Sequence, residues 1–186
     1  YRLRITCSFP LTFEIMLRPE LESIPPFYKK YVEHVKEFDL LPILDHSNKQ
    51  LLALLGTIPE EKGTFRYASG KWSIKELLCH MMDAERIFAY RALRFARNDR
   101  TPLHGFEEND YAPEANADGR TIRQIADEMD RLRKSTIDLF TSFTPGMLTR
   151  KGSANNTELS VLNLGYIIPG HETHHRMVLQ ERYLIH

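Results

Sequence analysis

The segment Gly170-His171-Glu172-Thr173-His174-His175 sets two imidazoles four residues apart, at His171 and His175. On a helix that spacing puts both rings on one face, one turn apart, where two histidines can grip one metal ion. At about 100° per residue, Leu164, Ile167, Val178 and His175 all fall within about 40° of His171. Both imidazoles therefore share the apolar face. His174 falls on its flank, and Glu172 points away. Polar groups taken out of water need partners, and His80 offers a third ring, on the stripe of Leu77, Met81, Ala84 and Phe88. A single histidine on an apolar face is more often a hydrogen-bonded core residue. Three on the inner stripes of two helices put metal binding on an equal footing. Three imidazoles leave at least one coordination position open, which is the pattern of catalytic sites. Neutral imidazole suits zinc, nickel, iron or copper, so the ligands alone do not choose the metal. We read no metalloprotease here.

These residues need helices to hold them. After Pro25-Pro26, the segment through Tyr31 and Val32 reads as a short helix, with Pro26 at its start, or as an irregular lead-in. Leu40, Leu41, Ile43, Leu44, Leu51, Leu52, Leu54 and Leu55 predict a first long helix from about Asp39 to Leu55, with Pro42 in its first turn and Gly56 as the stop. Ser73 followed by Glu76 is a capping box, and the chain then runs to about Asn98 without Gly or Pro. Thr121 with Gln124 opens a third helix to about Phe143, and Ser160 caps a fourth to about Tyr183. Pro169 should kink that last helix just before the histidines. Residues 99–119 and 144–159 read as loops. At up to about 3.3 Å per residue, the first spans roughly 65 Å, more than the about 36 Å of a 24-residue helix. Crossover connections are therefore permitted. The expected fold is all-α, a four-helix bundle with almost no strand.

Composition narrows the function. Of 186 residues, 42% are apolar, enough for a core, and 25 Lys+Arg balance 25 Asp+Glu. No basic excess points to nucleic acid. Arg91 and Arg94, beside Phe88, Tyr90 and Phe95, read better as an ion-paired helix face. The longest apolar runs, such as Leu40 to Leu44, are about five residues and fall far short of the ~20 residues of a membrane span. Cys7 and Cys79 define no disulfide framework and read as reduced thiols of a cytoplasmic protein. Residues 1–24 read as an N-terminal lead-in, with 1–15 upstream of Met16 and a short strand over Tyr1–Thr6. Residues 25–186 read as the bundle. Glu85 with Arg86 reads as a surface or interhelix ion pair, and His46 with Asp45 as a solvated pair. No Gly-rich phosphate loop, serine nucleophile elbow or Cys-His signature is present.

Two segments carry a resemblance. Lys71-Trp72-Ser73-Ile74-Lys75-Glu76-Leu77-Leu78-Cys79-His80, with Asp83-Ala84-Glu85-Arg86, resembles the second-helix signature of the DinB/YfiT-like superfamily. Ser160 through Tyr166-Ile167-Ile168 and Gly170-His171-Glu172-Thr173-His174-His175-Arg176 resembles its fourth-helix signature. The resemblance covers residues 25 to 184. It implies a four-helix bundle of up-down-down-up topology, often dimeric. It also implies a divalent metal, commonly nickel or zinc, on His80, His171 and His175. Relatives include thiol-dependent transferases and metal-dependent hydrolases. Pro169 stands where the family tends to carry a small residue.

Two readings follow. In the first the chain is an enzyme that activates water or a low-molecular-weight thiol for attack on a small-molecule substrate, with His174 or a nearby carboxylate as the candidate proton shuttle. In the second it is a bundle that holds a metal or ligand without turnover. A fourth protein ligand, such as Asp83 or Glu85, would close the site and favour the second.

Overall fold

The computed structural model describes residues 16–36 and 39–184. The strand expected over Tyr1–Thr6 and most of the N-terminal lead-in lie outside them. The helices are α1 (Pro26–Val32), α2 (Leu40–Leu55), α3 (Ile74–Ala96), α4 (Glu108–Glu114), α5 (Ile122–Thr141), α6 (Pro145–Leu148) and α7 (Val161–Val178). A π-helical turn, Leu179–Tyr183, continues α7. The long helices begin where their side chains satisfy free backbone N–H groups. Ser73 Oγ accepts from Glu76 N at 3.1 Å, and Ser73 N donates to Glu76 Oε2 at 2.7 Å. Thr121 with Gln124 and Ser160 with Asn163 close the same reciprocal boxes on α5 and α7. Pro42 lies in the first turn of α2, as expected.

Two expectations are corrected. The 99–119 segment is not all loop: α4 forms inside it. The 144–159 segment holds α6 and an antiparallel hairpin, β1 (Lys151–Ala154) with β2 (Thr157–Ser160). Asn155 and Asn156 turn the hairpin at φ 49° and 56°. A two-residue hairpin turn with positive φ at both positions favours asparagine, which tolerates the left-handed region.

The four long helices form the bundle. Its packing order around the ring is α2, α5, α3, α7, so α2 and α3, consecutive in the chain, sit across the bundle from each other. The long connections permit this. Short α1 packs along α7. The expected kink at Pro169 does not interrupt α7, which runs as one helix from Val161 to Val178.

The core falls into two apolar blocks. One gathers Leu40 and Leu44, Phe88 and Phe95, Phe140, Leu164 and Ile167. The other gathers Leu51, Ile74, Leu78, Met82, Ile125, Met129 and Leu179. Between them every long helix contributes buried polar groups: Ser47 and Asn48 from α2, Glu85 from α3, Arg133 and Thr136 from α5, His171 and Glu172 from α7. The candidate site lies at this polar layer.

Gly170 lets α1 lie against it. A Cβ there would come within 2.4 Å of the Tyr31 carbonyl oxygen, a backbone atom with no freedom to turn aside. In an open helix, Gly→Ala stabilises by roughly 1 kcal/mol. Here Gly170→Ala is expected to destabilise by about 1–3 kcal/mol, because α1 must move. Urea melts of the two proteins give the sign directly, and a gain in stability would contradict the packing.

Candidate metal centre

Three histidines converge at the polar layer. His80 comes from the second turn of α3, and His171 and His175 from α7. The Nε2 of His171 lies 3.2 Å from that of His80 and 3.1 Å from that of His175. Three nitrogens each about 2.05 Å from one ion sit roughly 2.9 Å apart at right angles and 3.3 Å apart in a tetrahedron. The observed spacing lies between these values. His171 is buried and the other two are partly exposed.

The electrostatics of the cluster point the same way. Burial pulls His80 down from its ordinary 6.5 to about 4. Burial, with the neighbouring His80, His174 and Lys30, pulls His175 down to about 3. His171 is held well below its usual range, by burial first and then by His175 and His80. All three rings are therefore neutral near pH 7. A neutral imidazole carries one donor and one acceptor nitrogen, so three ring nitrogens aimed at one point cannot all be satisfied by one another. A cation at their centre would accept every lone pair. The donor set thus fits a divalent transition metal.

These shifts also set a pH dependence for the metal-free protein. The unfolded chain titrates its histidines near 6.5, above the folded values. As pH falls below 6.5, the unfolded state takes up protons that the folded state does not, and stability drops until about pH 3–4. Above 6.5 these histidines contribute no slope. We expect His80→Gln to flatten this acid limb, read as urea midpoints between pH 7 and 4. An unchanged limb would contradict the burial of His80 as a neutral ring.

Aromatic groups frame the cluster. The Trp72 ring lies 4.7 Å from that of His80, and Tyr31 and Phe88 lie 5.1 and 6.0 Å from that of His171. They line a cleft of about 170 Å³ that opens onto the three imidazoles and also reaches Tyr28, Arg91, Phe106 and Glu108. His174, the sequence candidate for proton transfer, is not among the lining residues. It stacks on His34 at 5.9 Å and packs edge-on to Tyr31. His46 stays at the surface, beside Gln50.

The carboxylates go elsewhere. Asp83 pairs with Arg86. Glu85 is not Arg86's partner, contrary to the expected pairing, and lies buried against Arg133. Neither joins the three histidines, which among the described residues stand as the group able to share an ion. The site is open. Glu172 does point away from the cleft, but into protein rather than water. The string His171-Glu172-Thr173-His174-His175 in fact satisfies the H-E-x-x-H spacing of zinc proteases, in which the glutamate acts as general base. Here that glutamate is bonded to Arg133 at 2.7 Å and is only 4% exposed, so it cannot reach a substrate in the cleft.

Arg133 is the residue that sequence reasoning missed. Its Nε and Nη2 donate to the two oxygens of Glu85, both at 2.9 Å, and Nη2 also donates to Glu172. Nη1 donates to the Leu44 carbonyl and to Ser47 Oγ. The side chain thus ties α5 to α2, α3 and α7 at one level. Burial pushes Glu172 up, against the pull of Arg133, toward its protonated form. Because Glu172 adjoins His171 and Glu85 lies just over one turn beyond His80, this network fixes the rotation of both ligand-bearing helices.

Comparison with known proteins adds three findings. The family model of the DinB superfamily matches residues 43–179. The fold matches the solved structure of YfiT from Bacillus subtilis with a TM-score of 0.68, over 88% of this chain and 90% of that one, at 15% identity. That protein is described as a probable metal-dependent hydrolase with an unusual four-helix bundle topology. A comparison with curated protein sequences finds no match.

Proposed function

Because this chain belongs to the DinB superfamily, we propose that it is a metal-dependent enzyme acting on a small molecule, with His80, His171 and His175 as ligands of one divalent metal, nickel or zinc. The observation that carries the reading is the convergence of three neutral imidazoles at an open, aromatic-lined cleft with no fourth protein ligand among the described residues. A catalytic site needs such an open position. Bound there, a divalent metal would supply Lewis acidity and bring water or a thiol near neutrality in pKa. The chain's own part is positional. The Arg133 network holds the two ligand helices in register, and the burial of the rings keeps them unprotonated at neutral pH. Trp72, Tyr31 and Phe88 give the cleft apolar walls beside the three imidazoles.

The reaction is hydrolysis when water is the nucleophile and S-transfer when a low-molecular-weight thiol is. The description of YfiT as a probable metal-dependent hydrolase favours the first, and the family resemblance supports both. The resemblance also favours a homodimer, and the free, buried Cys79 accords with a reducing, cytoplasmic setting. No helix of the described residues is long and apolar enough to cross a membrane. The test is a screen of protein loaded with nickel, zinc or manganese against esters, amides and carbon electrophiles, with and without a small thiol. Turnover that disappears with chelator supports the reading. No turnover above background with any metal contradicts it.

A further inference from the structure

Arg91 lies on the same stripe of α3 as the ligand His80. The positions 80, 84, 88 and 91 are spaced four, four and three apart, and all four side chains line the cleft. Arg91 is 3% exposed, yet among the described residues no carboxylate forms an ion pair with it. One Nη2 hydrogen donates to the His104 carbonyl at 3.1 Å, and the Tyr28 hydroxyl is its other polar neighbour. A guanidinium has five N–H donors. None of its nitrogens is both buried and unpartnered, so the remaining donors face open space. Among the described residues, the other strongly buried guanidinium and ammonium groups have carboxylates: Arg133 has Glu85 and Glu172, and Lys75 has Glu60. An enclosed positive charge without an anion is costly unless a ligand supplies one.

We infer that Arg91 is a substrate-binding residue that receives a carboxylate, so that the substrate of this cleft is a small monoanion with an apolar or aromatic body. This rests on the cleft being the active site proposed above. The charge lies at one end and the three histidines at the other. Their backbone positions are about 16 Å apart along α3, at 1.5 Å per residue. The Arg91 side chain leans back toward the helix N-terminus and shortens that gap. The anionic group is therefore several bonds from the reacting one. Tyr31, Trp72, Phe88 and Phe106 supply flat apolar walls between them. Glu108 lines the same cleft and already acts electrostatically on Tyr28 and Tyr31. It disfavours a second negative charge, which selects a monoanion over a dianion. Burial makes the charged form of Arg91 harder to hold, and an incoming carboxylate relieves that cost.

The test uses protein stripped of metal with a chelator and then dialysed free of it, at pH 8, so that neither a metal ion nor the chelator's carboxylates compete. The probes are 4-phenylbutanoate, its neutral amide 4-phenylbutanamide, and the dianion 3-phenylpropyl phosphate. Trp72 is the single tryptophan of the chain, so its indole cross-peak in a proton–nitrogen correlation spectrum reports the cleft directly. Arg91 also borders a groove with Arg94 and His104 on its far side, which Trp72 does not line. The carboxylate should shift the indole peak and bind at least ~10-fold more tightly than the amide, the range of a charge-assisted hydrogen bond. Arg91→Gln should erase that preference. The dianion should bind no tighter than the carboxylate, and Glu108→Gln should favour the dianion. An equal affinity for carboxylate and amide, an Arg91→Gln protein that keeps the preference, or binding that leaves the indole peak in place overturns the assignment. If Arg91→Gln does not fold, the wild-type probes and Glu108→Gln decide. Metal uptake, titrated separately, tells the two readings apart. A carboxylate preference without metal uptake sinks the metal centre and leaves Arg91 standing, and the converse result does the opposite.

Discussion

Arg133→Met should cost about 3–5 kcal/mol of stability, the range seen when one partner is removed from a buried ion pair. Against the 5–15 kcal/mol that holds a typical domain together, the loss is enough to leave a large part of the chain unfolded at 37 °C. The cause is what the substitution leaves behind. Glu85 and Glu172 would face each other's helices at 8% and 4% exposure with no cation between them, and the Leu44 carbonyl and Ser47 hydroxyl would each lose one hydrogen bond, the Leu44 carbonyl keeping the Ser47 hydroxyl as a donor. Methionine fills much of the volume, so the effect is electrostatic rather than a cavity. Adding Glu85→Gln and Glu172→Gln to Arg133→Met should restore most of the loss, since neutral amides need less compensation than carboxylates. Urea unfolding of metal-free protein measures both steps. A cost below about 1 kcal/mol for the single variant, within the range of a surface pair, would contradict the buried network.

His171→Ala should weaken metal binding by more than ~100-fold, beyond the 10–100-fold typical of residues that only support a ligand. His171 is the central member of the cluster, within 3.2 Å of both other Nε2 atoms, whereas His80 and His175 each make one such contact. Its loss leaves two rings on different helices. His174→Ala is the control, because that ring lines no part of the cleft and should change affinity less than about tenfold. Trp72 fluorescence, quenched by nickel or cobalt at the adjacent His80, reads the affinity without any knowledge of substrate. Equal affinities for the His171 and His174 variants would contradict the role of His171.

The helices were legible because their start signals are local. Ser73 with Glu76 and Thr121 with Gln124 are reciprocal boxes that depend on three residues of spacing and little else. The shared face of His171 and His175 with Leu164 and Ile167 was legible for the same reason, since periodicity assigns a face without knowledge of the partner. The hairpin at Asn155-Asn156 was hidden by its brevity, although asparagine is one of the few residues that tolerate the positive φ both turn positions need. The Arg133 network was written in the pattern but easily passed over. Ile122, Ile125, Met129, Arg133, Thr136 and Phe140 are the buried residues of α5, and the arginine occupies the stripe position where a core residue belongs. Which carboxylates it would meet depends on the order of helices around the bundle, and no local pattern states that order. Glu85 was assigned to Arg86 for that reason, by adjacency in the chain rather than in space. Of the arginines read as an ion-paired face, Arg94 meets Asp99, whereas Arg91 meets no carboxylate among the described residues.

The central claim is that His80, His171 and His175 hold one divalent metal. X-ray absorption at the metal edge tests it most directly, on untagged protein loaded with one equivalent of zinc or nickel. The account predicts a shell containing three imidazole nitrogens at about 2.0–2.1 Å, completed by light atoms from solvent, and the loss of that shell in the His80→Ala, His171→Ala, His175→Ala triple variant. A shell without imidazole, or one that survives in the triple variant, would contradict it and return the three histidines to the core.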